Sequence, residues 1–478
     1  MKRSLFALLA LTACGRLTSN GFEDALDPVI RTTQPRDAGT DAGTVAQDAG
    51  VITPTTCAPS AAEIFDPAFP PAPMPARFAQ DYRSANLSAQ RLARAQNKAT
   101  VCPDELWAWV TNSGLPDQEL VVLSLISNGQ RTATYTLPAQ GVVRHLAVIE
   151  NVGVGWSVAW VTEMNGLLTA NLTSTGASSP QVAPTAVMDP ADPHPFALVF
   201  AWGHPWVIVQ RRSSSDPTHA ELVINTVLYA RGDPYVEAHH DLGPLSSEWG
   251  PLPAPAAAII GGSTFSNTLF VRTAFGVIEF ESPLVQLRSQ GLSAAWHAST
   301  IVELPLSTPN EGAAIVVAAG QGIGTRRYQY EASCFAPNGG RCPFWAQIPG
   351  STWGGFGVWN HAGIAATACG RKLAVALRSF DSIGQCESYG YCPGGDLHLT
   401  LIEDNVFPSF DRNLTPREAP ADAGWFVGYE DQDVSSPIVF ARSEPNRAWP
   451  YADVAWIQAT PNGGIEFRLE RNAADCSP

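Results

Sequence analysis

Glu237, His239 and Asp241 alternate along the stretch Glu-Ala-His-His-Asp. On a β-strand they would share one face, about 7 Å apart per step of two residues. Carboxylates and an imidazole so placed can seed a divalent-cation site if a neighbouring strand adds a ligand. The same alternation suits a polar outer strand ahead of the turn at Leu242-Gly243-Pro244. Asp431 and Asp433, in Tyr-Glu-Asp-Gln-Asp-Val, form an Asp-x-Asp pair that could hold calcium, although the twelve-residue calcium loop with its central Gly and closing Glu is absent. Calcium is the one cofactor these residues point to. Trp353, Phe356 and Trp359 lie in the glycine-rich stretch Ser351 to His361. Aromatic rings on such a loop can stack on sugars or anchor a protein partner.

Other chemistry has weaker support. There is no G-x-S-x-G elbow for a nucleophilic serine and no H-E-x-x-H zinc motif. Gly-Gln-Gly-Ile-Gly, Gly320 to Gly324, follows an apolar run but leads into Thr-Arg-Arg-Tyr-Gln-Tyr-Glu-Ala, which alternates like a strand, so a hairpin turn is expected instead of a phosphate loop. A glycosidase would need two carboxylates brought together from distant parts of the chain. Glu279 and Glu466 recur in two Ile-Glu-Phe triplets, but alternation puts both on the solvated face.

Nine cysteines are present. Setting Cys14 aside leaves Cys57, Cys102, Cys334, Cys342, Cys369, Cys386, Cys392 and Cys476, an even number that reads as disulfides in an exported chain. Cys334 with Cys342, and Cys386 with Cys392, are close enough to staple single loops. The pairing of the other four is left open by spacing. No pair has the tight spacing that structural zinc favours.

Cys14 stands apart because of what precedes it. Lys2 and Arg3 open the chain, and Ser4 to Ala13 is apolar but far shorter than the about 20 residues that span a bilayer. Leu11-Thr12-Ala13-Cys14 resembles the lipobox of bacterial lipoproteins, and the resemblance implies that residues 1–13 are a signal peptide and that Cys14 becomes the lipid-modified first residue. Gly15 is permissive for the outer membrane. Residues 14–56 contain Asp-Ala-Gly-Thr-Asp-Ala-Gly-Thr-Val-Ala-Gln-Asp-Ala-Gly, Asp37 to Gly50, which cannot bury enough apolar surface to offset its ordering entropy. A disordered tether is expected. The lipobox with this tract resembles secreted lipoproteins of myxobacteria.

Loss of Lys2 and Arg3 takes the 29 basic residues to 27 against 44 acidic, a balance of −17. Such a surface repels phosphate backbones, which excludes nucleic acid as a partner. Residues 57–102 read as a transition segment, extended through Pro-Ala-Phe-Pro-Pro-Ala-Pro and with one short helix in Ser-Ala-Asn-Leu-Ser-Ala-Gln-Arg-Leu-Ala-Arg-Ala-Gln-Asn-Lys.

From 103 to 478 the chain is a series of short apolar runs broken by turns. Val158 to Leu172 and Val454 to Leu469 both read Val-Ala-Trp, an Asn-Gly turn, then a second strand, and Leu269 to Ser282 is a weaker copy. Asn128-Gly129 centres another hairpin. Pro205, Ala313 and Lys372 begin further apolar runs. Within each unit the continuous run is read as the inner strand and the alternating one as the outer. Recurring all-β units of this kind predict a β-propeller of about seven blades, six or eight remaining open, with tandem β-sandwich domains as the alternative. No WD, kelch or Asp-box signature appears. The function expected is a lipid-anchored binding or scaffolding module at the outer membrane, facing an envelope protein or a glycan. A carbohydrate-active propeller hydrolase is the alternative.

Overall fold

The structure is a computed structural model. It describes residues 57–73, 90–97, 102–151, 155–183, 188–189, 192–193, 196–226, 236–245, 252, 255–260, 268–273, 275–281, 285–291, 298–305, 312–321, 328–335, 346–348, 364–370, 372–379, 396–402, 410–414, 437–444, 447–459 and 465–477. Residues from Pro54 onward belong to one compact unit.

Apart from a short two-stranded pairing of Met188–Asp189 with Asp192–Pro193, the described strands group into seven successive antiparallel sheets, each essentially a meander in chain order. The first runs through Leu92–Gln96, Glu105–Asn112, Glu119–Ser127 and Gln130–Pro138, and the second through Val143–Asn151, Gly155–Thr162 and Gly166–Thr173 with two short edge strands. The third is Phe196–Ala201, His204–Arg212, His219–Thr226 and Val236–Pro244. The fourth is Ala256–Ile260, Thr268–Arg272, Gly276–Glu281 and Val285–Gly291. The fifth is Ala298–Pro305, Gly312–Gln321, Tyr328–Phe335 and Ala346–Ile348, and the sixth is Ile364–Cys369, Lys372–Ser379, Asp396–Ile402 and Phe410–Asn413. Ile438–Arg442, Tyr451–Ala459 and Ile465–Asp475 form the seventh.

The first strand of each sheet lies against the first strand of the next, and that of the seventh touches that of the first. First strands therefore line the centre and the sheets radiate from it. This is a β-propeller, and the tandem-sandwich alternative falls.

The apolar runs expected to be inner strands are second strands. Val158, Val207, Val316, Val375 and Val454 all sit one place out from the centre. A second strand has a ladder on either side and a neighbouring sheet over each face, so it is mostly apolar and any charge along it is sealed. Glu105–Asn112 is buried from Glu105 through Thr111. The strand Leu92–Gln96 corrects the helix expected there and makes the propeller begin before residue 103. Its Arg94 is matched by Glu105 on the next strand at 2.9 Å, so a charge that looks helical in sequence sits sealed between strands.

Turn chemistry agrees with the sequence at Asn128-Gly129, where φ is 51° and 74°, as a two-residue type I′ hairpin requires. Asn165-Gly166 is different. Thr162 pairs with Gly166 across a three-residue loop, Gly166 alone takes a positive φ of 71°, and the Asn165 side chain donates to the carbonyl of Gln140. The residues of Asn462-Gly463 lie outside those described. Gly312–Gln321 pairs with Tyr328–Phe335, with Gly320 opposite Gln329, as two hairpin strands; residues 322–327 between them lie outside those described.

Cores fill the spaces between neighbouring sheets. Trp160 is fully buried and donates to the Ala139 carbonyl at 3.0 Å, and Trp456 is 4% exposed, as their repeat positions predict. His145, on the first strand of sheet two, packs its ring 5.7 Å from Phe196 of sheet three, and its Nδ1 is sealed without a hydrogen-bond partner. Burial pushes its pKa down from 6.5 to about 4. Because the folded value lies below the unfolded one, this stability is complete above about pH 6.5 and is lost as the pH falls toward about 4. The loss is bounded at about 3 kcal/mol, and nearer about 2 kcal/mol because part of the ring still reaches solvent. Urea unfolding at pH 7.5 and 4.5 should show a steeper acid loss in the parent than in His145→Phe. Equal slopes would rule this cause out.

Two disulfides are formed among the described residues. Cys57–Cys102 spans a sequence separation of 45 with Cα atoms 4.9 Å apart, and Cys369–Cys476 spans 107 with Cα atoms 5.5 Å apart. The side chain of Cys334, and Cys342, Cys386 and Cys392 entirely, lie outside the described residues, as do Cys14 and the whole segment 1–56.

Candidate functional site

The densest group of ionisable side chains predicted from sequence falls on the outer half of sheet three. His219–Thr226 and Val236–Pro244 run antiparallel, with Glu221 opposite Asp241 and Val223 opposite His239. A register shift after Ala220 lets Gly243 sit opposite it, and the Gly243 amide donates to Asp241 Oδ1 at 2.9 Å. His219 Nδ1 lies 3.0 and 3.1 Å from the two Asp241 oxygens. His239 Nδ1 lies 3.2 Å from Glu221 Oε2, and Arg211, one strand further in, donates to Glu221 Oε1 at 2.8 Å.

These are two carboxylate–imidazole pairs side by side. The Gly243 amide and the His219 ring hold the Asp241 carboxyl below the usual carboxylate range. Burial works to raise Glu221, but hydrogen bonds and charge from Arg211 and His239 outweigh it and hold that carboxyl low as well. His240 points the other way, against Phe280 of sheet four at 4.9 Å between ring centroids, and burial with the neighbouring His239 lowers its pKa. One of the two adjacent histidines thus serves the surface and the other an inter-sheet core.

Glu237, His239 and Asp241 do lie on one strand, as expected. The carboxylates of Asp241 and Glu221 are already engaged, however, and Arg211 adds a fixed positive charge where a cation would have to bind. Among the described residues no group of three His, Cys, Asp or Glu side chains is arranged to hold a metal ion, and the side chain of Glu237 lies outside them. Asp431, Asp433, Trp353, Phe356 and Trp359 also lie outside the described residues. Glu221→Gln should cost about 1 kcal/mol, since it weakens a largely shielded ion pair and leaves Arg211 in place. Loss of less than about 0.3 kcal/mol in urea unfolding would show the pair to be idle.

Sequence reasoning missed a second set of charged groups, inside the ring. Asp453 is fully buried, taking Arg442 Nε at 2.7 Å and Arg471 Nη1 at 2.6 Å on one oxygen and the Asn472 amide at 2.8 Å on the other. Glu105 takes Arg94 and, at 2.7 Å, the indole N–H of Trp107. The Arg94 guanidinium lies 4.0 Å over the ring of Phe440, which belongs to sheet seven. Glu119 takes Arg91 at 2.7 Å and the Val143 amide of sheet two at 2.7 Å. These three carboxylates sit at or beside junctions between sheets, and each is matched by arginine.

Glu279, expected on a solvated face, is 4% exposed. It lies on a third strand whose two faces are both covered, where alternation no longer separates inside from outside. Glu466 is partly exposed and bonds Arg468 and Gln458.

No family model matches the chain, and no curated protein matches it in sequence. Among solved structures, a fungal lectin from Aleuria aurantia, described as a six-bladed β-propeller with a novel fucose recognition mode, is similar at 12% identity and a TM-score of 0.38, over 70% of this chain and 98% of that one. The polysaccharide lyase Uly1 is similar at 8% identity and a TM-score of 0.36, over 79% of this chain and 89% of that one. BBS1N, solved in complex with ARL6DN, is similar at 9% identity and a TM-score of 0.29, over 82% and 95%. Likenesses this remote carry no function across, and the propeller stands on the chain's own strand order.

Proposed function

We propose that this protein is a lipid-anchored component of the cell envelope, attached through Cys14 to the outer membrane, and that its propeller is a binding or scaffolding module for another envelope protein or a glycan. The observation that supports a module most directly is the state of the sealed carboxylates. Arg94 and Glu105 tie neighbouring strands of sheet one, Arg442 and Arg471 tie the three strands of sheet seven through Asp453, and Arg91 with Glu119 reaches Val143 of sheet two, so these carboxylates fasten the fold. Carboxylates sealed in this way lie out of a substrate's reach. Joined to two disulfides, they make a stiff ring suited to presenting loops. The lipobox and the Asp-Ala-Gly tract supply an address and a tether.

The anchor is tested by fractionation. The parent chain should enter the detergent phase and Cys14→Ala should remain aqueous, because anchoring by several acyl chains at about 0.8 kcal/mol per buried methylene is effectively irreversible. An aqueous parent would overturn it. The module is tested by cross-linking in intact cells followed by mass spectrometry. One envelope partner recovered in stoichiometric amount supports it. Release of reducing sugar from a glycan panel by the purified chain would replace it with the hydrolase.

A further inference from the structure

The two disulfides sit in different surroundings. Cys369 and Cys476 are 0% and 1% exposed, whereas Cys57 and Cys102 are both half-buried. The accessible pair pins a segment that closes the ring. From Cys57 to Pro73 the chain passes over the junction of sheets one and seven, with Ile64 fully buried and the Phe65 ring stacked 4.6 Å from Trp109 and 4.8 Å from Phe467. Glu63 accepts the Arg131 amide at 2.9 Å, the Trp109 indole donates to the Phe69 carbonyl at 2.9 Å, and the Ala72 amide donates to Val110 at 2.8 Å. Arg471, already on Asp453, also donates to the carbonyl of Pro59.

The strap has little structure of its own. Its one helix, Ala61–Ile64, is a single turn, which is unstable in isolation. With the disulfide closed the strap is held covalently at both ends, through Cys102 on one side and through the chain leading to Gln90 on the other. With it open, the Cys57 end is held to the two sheets by packing and hydrogen bonds alone.

We propose that Cys57–Cys102 is a releasable clasp. A dithiol reductant in the envelope opens it, and residues 57–73 then lift from the seam and uncover Trp109 and Phe467, while Cys369–Cys476 stays closed. A thiolate of the reductant attacks one sulfur and forms a mixed disulfide as the Cys57–Cys102 bond breaks. The second thiol of the reductant resolves it, leaving two protein thiols and an oxidised reductant, with two electrons and two protons transferred. The clasp rests on the envelope reading for its compartment alone.

The test uses the full lipidated chain in detergent, treated with a thioredoxin-type dithiol, then alkylated and peptide-mapped, with hydrogen exchange followed over 57–73. Cys57 and Cys102 should be alkylated at least about tenfold faster than Cys369 and Cys476, and exchange in the strap should rise at least about tenfold on reduction. Equal opening of the two disulfides, or a strap that stays protected once Cys57–Cys102 is reduced, would overturn the proposal. Cys57→Ser/Cys102→Ser should show the raised exchange with no reductant, and if that variant does not fold, the reduced parent still decides. Neither readout needs a membrane, so failure here is distinct from failure of the anchor in fractionation.

Discussion

Asp453→Ala is expected to cost about 3–5 kcal/mol, the range for removing one partner of a buried ion pair. The residue opens no cavity of consequence, so the cost is electrostatic and conformational. Its carboxylate has two arginines on one oxygen and a backbone amide on the other. The amide is that of Asn472, which takes a positive φ of 52° at the point where the register of the seventh sheet shifts, between Ala452 and Val454. The carboxylate therefore holds a bulge as well as two cations. In its absence Arg442 keeps Glu444 at 2.7 Å, while Arg471 loses its carboxylate partner and keeps the Pro59 carbonyl. Asp453→Asn should fall between the parent and Ala, at roughly 2 kcal/mol, because the amide oxygen can still accept from Asn472 while the charge is gone. The check is urea unfolding at pH 7 with both disulfides intact. A cost below about 1 kcal/mol for Ala would mean that water reaches this seam and that the ion pairs are not what fastens it.

Much of the propeller is legible in sequence, for a physical reason. A second strand is walled in by a sheet on each face and a strand on each side, so it is largely apolar, and a charge on it, as at Glu105 or Asp453, is matched by arginine. Val-Ala-Trp at Val158 and again at Val454 announces two of them. First strands are harder to see because one edge lines the centre. Val143–Asn151 alternates only loosely and carries Arg144, His145 and Glu150, and Leu92–Gln96 carries Arg94. Their charges are compensated by residues that no local pattern points to. Glu105 is eleven positions from Arg94, and Glu119 is twenty-eight from Arg91. Glu279 fails for the same reason, since the sheet that covers its second face comes from elsewhere in the chain. At the outer edge of sheet three the reverse holds. Glu237, His239 and Asp241 were recognisable as a strand face, but the partners that decide their chemistry, His219, Glu221 and Arg211, lie on two other strands.

The second large effect is expected at Cys369–Cys476. Replacing both cysteines by Ala should cost about 4–5 kcal/mol, since a closed loop of roughly a hundred residues removes that much entropy from the unfolded chain. The bond joins the end of the first strand of sheet six to the residue that follows the last strand of sheet seven. Both sulfurs lie in one core with Val439, Val454 and Trp456, and Trp449 closes over the adjacent turn, where a Cβ at Gly370 would come within 3.0 Å of its ring. Without the bond the strand Ile465–Asp475, whose Asn472 amide is held by Asp453, loses its tie to sheet six, and an untied strand end is where fraying begins. The entropic rule gives only about 0.5–1 kcal/mol less for Cys57–Cys102, whose separation is 45, so the two losses are comparable in global unfolding. Local opening is where they part. Loss of Cys57–Cys102 should loosen the strap at residues 57–73, and loss of Cys369–Cys476 should loosen Ile465–Asp475. Hydrogen exchange on the two double variants checks this. If both variants loosened the same residues, the first and last sheets would open as one unit, and the seam would be a single cooperative element.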